Sequence, residues 1–365
     1  MNPVQKIIHE IIEANGPINL ARYMELALQH PEFGYYKQHD PLGRAGDFIT
    51  APEISQMFGE LIGLWCADMW RLMGKPEKFM LLELGPGRGT LMHDALRATA
   101  KITGFHEAMQ LCLLESNATL RQMQNEKLAT HKCAHLDSLE SKPPLPALII
   151  ANEFFDALPI RQFVKTEEGW CERLVVAGKD RLLFHLSKPD RAVQMFMPPE
   201  LCEAAVDAVY ELSAPSASIV RVLADHIQKY GGAGLLVDYG YSAPSGLGTL
   251  QAVSRHQYAS VLTRPGEVDL TAHVDFSTLR SMAERTGARV LGPVGQGEFL
   301  QTLGLELRGM QLKHQATPEQ AAAIDAAMHR LTDPSEMGSL FKVMGLAHSN
   351  MNEVVGFHDR DVAGR

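Results

Sequence analysis

The stretch Glu83-Leu84-Gly85-Pro86-Gly87-Arg88-Gly89-Thr90 carries the clearest chemistry in the chain. It follows the apolar run Phe79-Met80-Leu81-Leu82, and a helical pattern begins at Leu91. Glycines let the backbone turn sharply, and their missing side chains let a ligand approach the main chain. The following helix presents free N–H groups and the positive end of its dipole. Together these describe a turn suited to a nucleotide-like ligand, although an ordinary strand-to-helix turn uses similar residues.

Two nucleotide chemistries compete for this loop. A dinucleotide fingerprint spaces its glycines G-x-G-x-x-G, with an acid about 20 residues further on. Here the third glycine comes one position early, at Gly89, and Thr90 fills the fingerprint position. An acid two positions before G-x-G-x-G looks more like the loop of a methyltransferase. In that reading Glu83 positions the methionine portion of the cofactor. The backbone of Gly85, Gly87 and Gly89 then passes beneath it, and Glu115 accepts hydrogen bonds from the ribose hydroxyls. Asp137 and Ser138, at the end of a further apolar run, stand where an acid commonly faces an adenine amino group. Either of them fits a helix N-cap equally well.

A second cluster follows Ile149-Ile150-Ala151: the side chains of Asn152, Glu153 and Asp156. In an open α/β sheet the ligand crevice lies beyond the carboxyl ends of the strands, which is where these three belong. Tyr239 and Tyr241 end another apolar run and are placed to flank an acceptor. Pro265–Phe276 is dense in polar groups and is a candidate acceptor groove. His256 and His273 are candidate bases, and both also fit structural or surface roles.

These residues need a scaffold. Short apolar runs at Phe79–Leu84, Leu111–Leu114, His131–Leu136, Ala147–Ala151 and Gly234–Val237 alternate with helical stretches. That alternation predicts βαβ units and a parallel sheet. Ala288–Leu291 and Phe341–Leu346 complete it, with the direction of the last strand left open. Residues 1–75 are expected to form an N-terminal helical segment and a loop, and residues 76–350 the core. Within the core, hairpin strands and helices at about 162–230, with Glu200–Leu212 helical, form an insertion. A helical insertion follows at about 300–332, and residues 351–365 form a tail.

Composition narrows the function. The 365 residues are 45% hydrophobic and 21% charged, an ordinary globular balance. Net charge is −9 and no basic run is present, which argues against a nucleic-acid partner. The five cysteines are scattered without a C-x-x-C pair, so neither a disulfide framework nor a zinc site is expected. No apolar run approaches the roughly 20 residues that span a bilayer, and Met1–Gly16 reads as an amphipathic helix with Glu10 and Glu13 rather than a targeting segment. A cytoplasmic protein without membrane insertion is expected.

Several motifs recur in a shared order: Gly46–Gln56 with Phe58-Gly59-Glu60, the glycine loop, Ala151–Pro159, Val237–Tyr241, Gly248-Thr249-Leu250 and Pro265–Phe276. Together they closely resemble the MidA-like methyltransferases, over residues 15 to 346. The resemblance implies a seven-stranded Rossmann-like class I methyltransferase sheet and S-adenosyl-L-methionine as cofactor. It implies a protein arginine as acceptor, as in the mitochondrial relative needed for respiratory complex I assembly, and a complex I-type subunit as candidate partner. It makes Gly46–Gln56, with Asp47, Thr50, Pro52 and Glu53, a lid over the cofactor. A start of a helix, with Pro52 in its first turn, is compatible with that role. Glu153 is then the first choice to grip a guanidinium, Asp156 the second, and Asn152 a partner of the acceptor or the cofactor amine. Three rivals stand beside this reading: a nicotinamide-dependent oxidoreductase, a non-enzymatic assembly factor that keeps the fold, and a small-molecule methyltransferase.

Overall fold

A computed structural model describes residues 1–38, 50–254, 257–358 and 361. The chain divides into two compact units. One is built from Met1–Phe48, Asp156–Ala217 and Ser242–Ser277, the other from Ile49–Phe155, Ser218–Tyr241 and Thr278–Arg365.

The second unit holds the α/β sheet. Its strands are β1 (Phe79–Leu84), β2 (Met109–Leu114), β3 (Cys133–Leu136), β4 (Ala147–Asn152), β5 (Gly232–Tyr241), β6 (Arg289–Gly295) and β7 (Phe341–Ala347). They lie in the order β6-β7-β5-β4-β1-β2-β3. β1 pairs in parallel with β2 and β4, β4 with β5, and β2 with β3. β7 runs antiparallel to both β5 and β6, which settles the direction that sequence left open. Every residue of β1 and of β4 is buried, as expected of central strands covered on both faces.

Helix Gln56–Leu72 lies against helix Thr90–Thr99, and two glycines allow the approach. A Cβ on Gly63 would meet the Ala95 backbone at 2.5 Å, and one on Gly59 would meet Asp94 Cβ at 2.8 Å. The core beneath contains Phe58, Trp65, Trp70, Phe79 and Phe105. This helix therefore belongs with the sheet, and the expected boundary near residue 75 falls instead before residue 49.

The first unit is assembled from three stretches far apart in sequence. Strand Gly169–Ala177 pairs antiparallel with Arg161–Thr166, Leu182–Pro189 and the short Ile18–Asn19. Helices Pro3–Asn15 and Leu20–Gln29 supply Ile8, Tyr23 and Met24 to its core, with Val175 and Leu270. The expected insertion ends earlier than residue 230. Helix Ala214–Tyr230 is the crossover that feeds β5, and only its first turn lies in this unit. Glu200–Leu212 is not one helix: Val209–Leu212 is a strand, with Tyr210 buried opposite Phe163. Pairing of that segment with Arg161–Thr166 overrides its helical composition.

The stretch near 300–332 forms helices Leu305–Lys313 and Pro318–Thr332. Thr317 and Gln320 close a capping box at the start of the latter. No helix among the described residues is long and apolar enough to cross a membrane.

Candidate functional site

The carboxyl ends of β1, β2, β4 and β5 carry the candidate residues of the sheet unit. Gly85, Gly87 and Gly89 have φ of 60°, 52° and 74°, a left-handed region that glycine enters without strain. Gly85 is also pinned sterically, because a Cβ there would meet the Phe154 ring at 2.9 Å. Its N–H donates to the Leu114 carbonyl at 3.0 Å, so the loop leaves the sheet only after Gly85. Gly89 then starts helix Thr90–Thr99 with no side chain capping it. The first-turn amides of that helix have no intrahelical partner and suit an approaching ligand.

Two buried acceptors at neighbouring strand ends lack donors among the described residues. Glu83 is 3% exposed, its Oε2 has no hydrogen-bond partner among those residues, and burial pushes its carboxyl up to about 8. Asn152 is 8% exposed, and its Oδ1 is likewise without a partner among them. The β1–β4 register sets Glu83 against Ile150 and Leu84 against Ala151, so both side chains end adjacent strands. An unsatisfied buried acceptor costs about 1–3 kcal/mol. A ligand that brings an ammonium or N–H groups to this place removes that cost.

Glu115 follows β2. Its Oε1 accepts the Asn117 amide at 2.7 Å, and its Oε2 accepts from Gln124 Nε2 at 3.4 Å. Gln124 is fully buried and was not singled out by sequence. Its Nε2 donates to the Gly87 carbonyl at 2.6 Å, and its Oε1 receives His135 Nε2–H at 2.8 Å. One amide thus ties the glycine loop, the end of β2 and strand β3 together. Asp137 and Ser138, the candidates to face an adenine, are both exposed, and the 88% exposed Asp137 side chain pairs with Arg121 Nη2 at 2.7 Å. Arg121 reaches it because its Nε also donates to the Glu115 carbonyl, at 2.7 Å.

Glu153 sits just beyond β4 with φ 49°, a left-handed conformation in a residue that has a Cβ. Its N–H donates to the Val237 carbonyl at 2.9 Å. Its Oε1 accepts the Ala51 amide at 3.1 Å and Asn152 Nδ2 at 3.3 Å. Glu153 therefore holds the start of the short helix Ala51–Ile54, in which Pro52 is buried. Glu53 of that helix accepts the Thr90 hydroxyl at 2.6 Å, and the same hydroxyl accepts Lys127 Nζ at 2.6 Å. So the described part of the expected lid, from Thr50 onward, is fastened to the helix that follows the glycine loop. Its remainder, Gly46–Ile49, lies outside the described residues, as does His256.

Asp156 belongs to the other unit. It is 7% exposed, and its carbonyl accepts the Ala272 amide at 3.0 Å. There Tyr36 donates to Asp269 Oδ1 at 3.1 Å. Burial, with the charges of Asp269 and Asp156, holds the Tyr36 hydroxyl well above its ordinary value. In the same unit burial lowers the His273 imidazole, and its main-chain N–H donates to Thr249 Oγ1 at 2.9 Å. Thr249 is in turn held by the buried Glu211, which accepts its amide at 3.0 Å. Tyr239, in the sheet unit, packs edge-on against Phe341 with centroids 5.4 Å apart.

Residues 61–294 match a family model described as "Putative S-adenosyl-L-methionine-dependent methyltransferase". The chain is 37% identical to the Drosophila melanogaster "Protein arginine methyltransferase NDUFAF7 homolog, mitochondrial", over 95% of this chain and 86% of that protein. It is 33% identical to the Homo sapiens "Protein arginine methyltransferase NDUFAF7, mitochondrial", over 94% and 84%. Among solved structures, a Burkholderia thailandensis protein crystallised bound to S-adenosyl-homocysteine is similar with a TM-score of 0.84 and 27% identity. That likeness covers 99% of this chain and 95% of the other.

Proposed function

The chain belongs to the MidA-like family of S-adenosyl-L-methionine-dependent methyltransferases, and from that premise we propose that it methylates an arginine side chain of a protein. The acceptor class rests on the name shared by the relatives, which are protein arginine methyltransferases. The observation that carries the reading in this chain is Glu153: a carboxylate in a strained turn at the end of a central strand, beside the glycine loop. Strain of this kind persists where surrounding structure enforces it, and it gathers at functional sites.

The cofactor of this enzyme family, S-adenosyl-L-methionine, fits the residues present. The left-handed glycines offer bare backbone, and Glu83 Oε2 with Asn152 Oδ1 offers two buried acceptors that an ammonium satisfies. We assign Glu83 and the glycine loop to its methionine portion and Glu115 to its ribose. Pro52 and its short helix serve as cover. The cofactor supplies an electrophilic methyl on a sulfonium centre.

The chain's own contribution is orientation, which is worth roughly 7–11 kcal/mol in well-aligned transfers. An arginine guanidinium stays protonated to a pKa above about 12, so it arrives as a cation. Glu153 grips it through charge-assisted hydrogen bonds and aims one nitrogen. Asn152 steadies the Glu153 carboxylate through the contact at 3.3 Å.

A subunit of a respiratory complex I-type assembly is the acceptor protein we put first. Peptide mass spectrometry of the host proteome with and without this gene tests both levels of the proposal. A methylated arginine that vanishes with the gene supports it, and its site names the acceptor. An unchanged arginine methylome overturns the arginine assignment.

A further inference from the structure

Asp238 is wholly buried near the end of β5 and has no place in the chemistry above. Val237 is the register partner of Asn152, so Asp238 stands beside the point where the chain leaves β4. Its Oδ2 accepts two consecutive amides, Phe154 N–H at 3.1 Å and Phe155 N–H at 2.9 Å. Its Oδ1 accepts the Tyr239 amide at 3.0 Å. The residue directly before the two captured amides is Glu153, with φ 49°.

The geometry points to Asp238 as a positioning residue for methyl transfer, one that fixes the Glu153 turn by holding the amides that follow it. A free chain would relax Glu153 out of the left-handed region, where its Cβ crowds the backbone. Three bonds oppose that: the Glu153 N–H to the Val237 carbonyl before the turn, and the Phe154 and Phe155 N–H groups to the Asp238 carboxylate after it. Both anchors lie on β5, so the strand that neighbours β4 sets where the Glu153 carboxylate points. Asp238 itself is buried, and the contacts by which it holds the turn are to main-chain amides. This rests on the reading of Glu153 as the guanidinium grip.

Asp238→Asn is the isosteric test, because one carboxylate oxygen becomes an NH2 that faces an N–H donor. The full chain carrying D238N, E153Q or both is compared with the parent. Labelled S-adenosyl-L-methionine and the lysate proteins of a host lacking the gene serve as probes. D238N is expected to keep cofactor affinity within about twofold and to slow transfer at saturating cofactor by about tenfold or more. The double variant is expected to be no slower than E153Q alone, because both changes disable one carboxylate. Rate losses that multiply, or a parallel fall in cofactor affinity, overturn the inference. If D238N does not fold, D238E serves: it keeps the charge and displaces the oxygens by one methylene.

A crystal structure of the folded variant separates this inference from the reading beneath it. Full activity of E153Q removes Glu153 from the guanidinium grip, and the crystal then decides alone. Glu153 found outside the left-handed region upholds the role of Asp238, and φ retained near +49° overturns it.

Discussion

The side-chain amide of Gln124 donates to the main-chain carbonyl of Gly87 across 2.6 Å. Gln124 is fully buried, and its other contacts reach the Glu115 carboxylate and the His135 ring. The two elements assigned to the cofactor, the glycine loop and Glu115, are therefore set in place by one residue on helix Ala118–Lys127.

Replacing Gln124 by Met keeps the volume and removes every hydrogen bond. The Gly87 carbonyl and His135, both half-buried, lose their partner, a cost of about 1 kcal/mol per bond in stability. Cofactor affinity is expected to fall about tenfold, since the loop and Glu115 are no longer held together. Calorimetric titration with S-adenosyl-L-methionine and a thermal melt measure the two effects. A destabilised variant that binds the cofactor normally would show that Gln124 serves the fold alone.

Gly87→Val places a β-branched residue at φ 52°. Strain of about 1–3 kcal/mol is expected in the loop, and the added side chain meets the ligand approach. Cofactor binding should disappear from the titration while the melt stays cooperative. Unchanged affinity would remove the loop from the cofactor site.

Glu83 gives a pH dependence with a defined sign. In the folded chain burial holds its proton to about pH 8, against 4.5 for an ordinary glutamate. Between those values the folded state binds the extra proton, so stability falls as pH rises through the window and levels off above 8. The slope from this one group is about 1.4 kcal/mol per pH unit. Glu83→Gln lacks this loss, so its melting temperature should gain on the parent from pH 5 to pH 8. Cofactor binding runs the other way. An ammonium against Glu83 expels the proton, so affinity should climb between pH 6 and 8 by up to about tenfold per unit. An affinity flat across that range would contradict the contact between Glu83 and the cofactor.

Local patterns made the sheet and the loop legible. β1 and β4 are buried on both faces and read as apolar runs, polar only at Glu83 and Asn152 toward their ends, and the loop glycines are demanded by their own backbone angles. Other features depend on partners distant in sequence. The first unit joins segments around Ile18, Val175 and Leu270, which no window of sequence displays together. Gln124 and Asp238 look like an ordinary helix glutamine and a strand-end acid until their contacts with Gly87 and Phe155 are seen. The exposed ion pair of Asp137 with Arg121 of the preceding helix was likewise not legible in the sequence. Glu153 was legible as a polar residue after an apolar run, but its strained turn and its hold on Ala51 were not.

The central claim is that this chain moves a methyl group from S-adenosyl-L-methionine to protein arginine with Glu153 at the acceptor. Its most direct test incubates the protein with methyl-tritiated cofactor and lysate from a host lacking the gene, then hydrolyses the labelled protein to amino acids. Label is expected in methylarginine with the parent chain, with a loss of at least about a hundredfold for Glu153→Gln, comparable to removing a major transition-state contact. Label in another amino acid, label confined to small molecules, or equal labelling by both chains would contradict it.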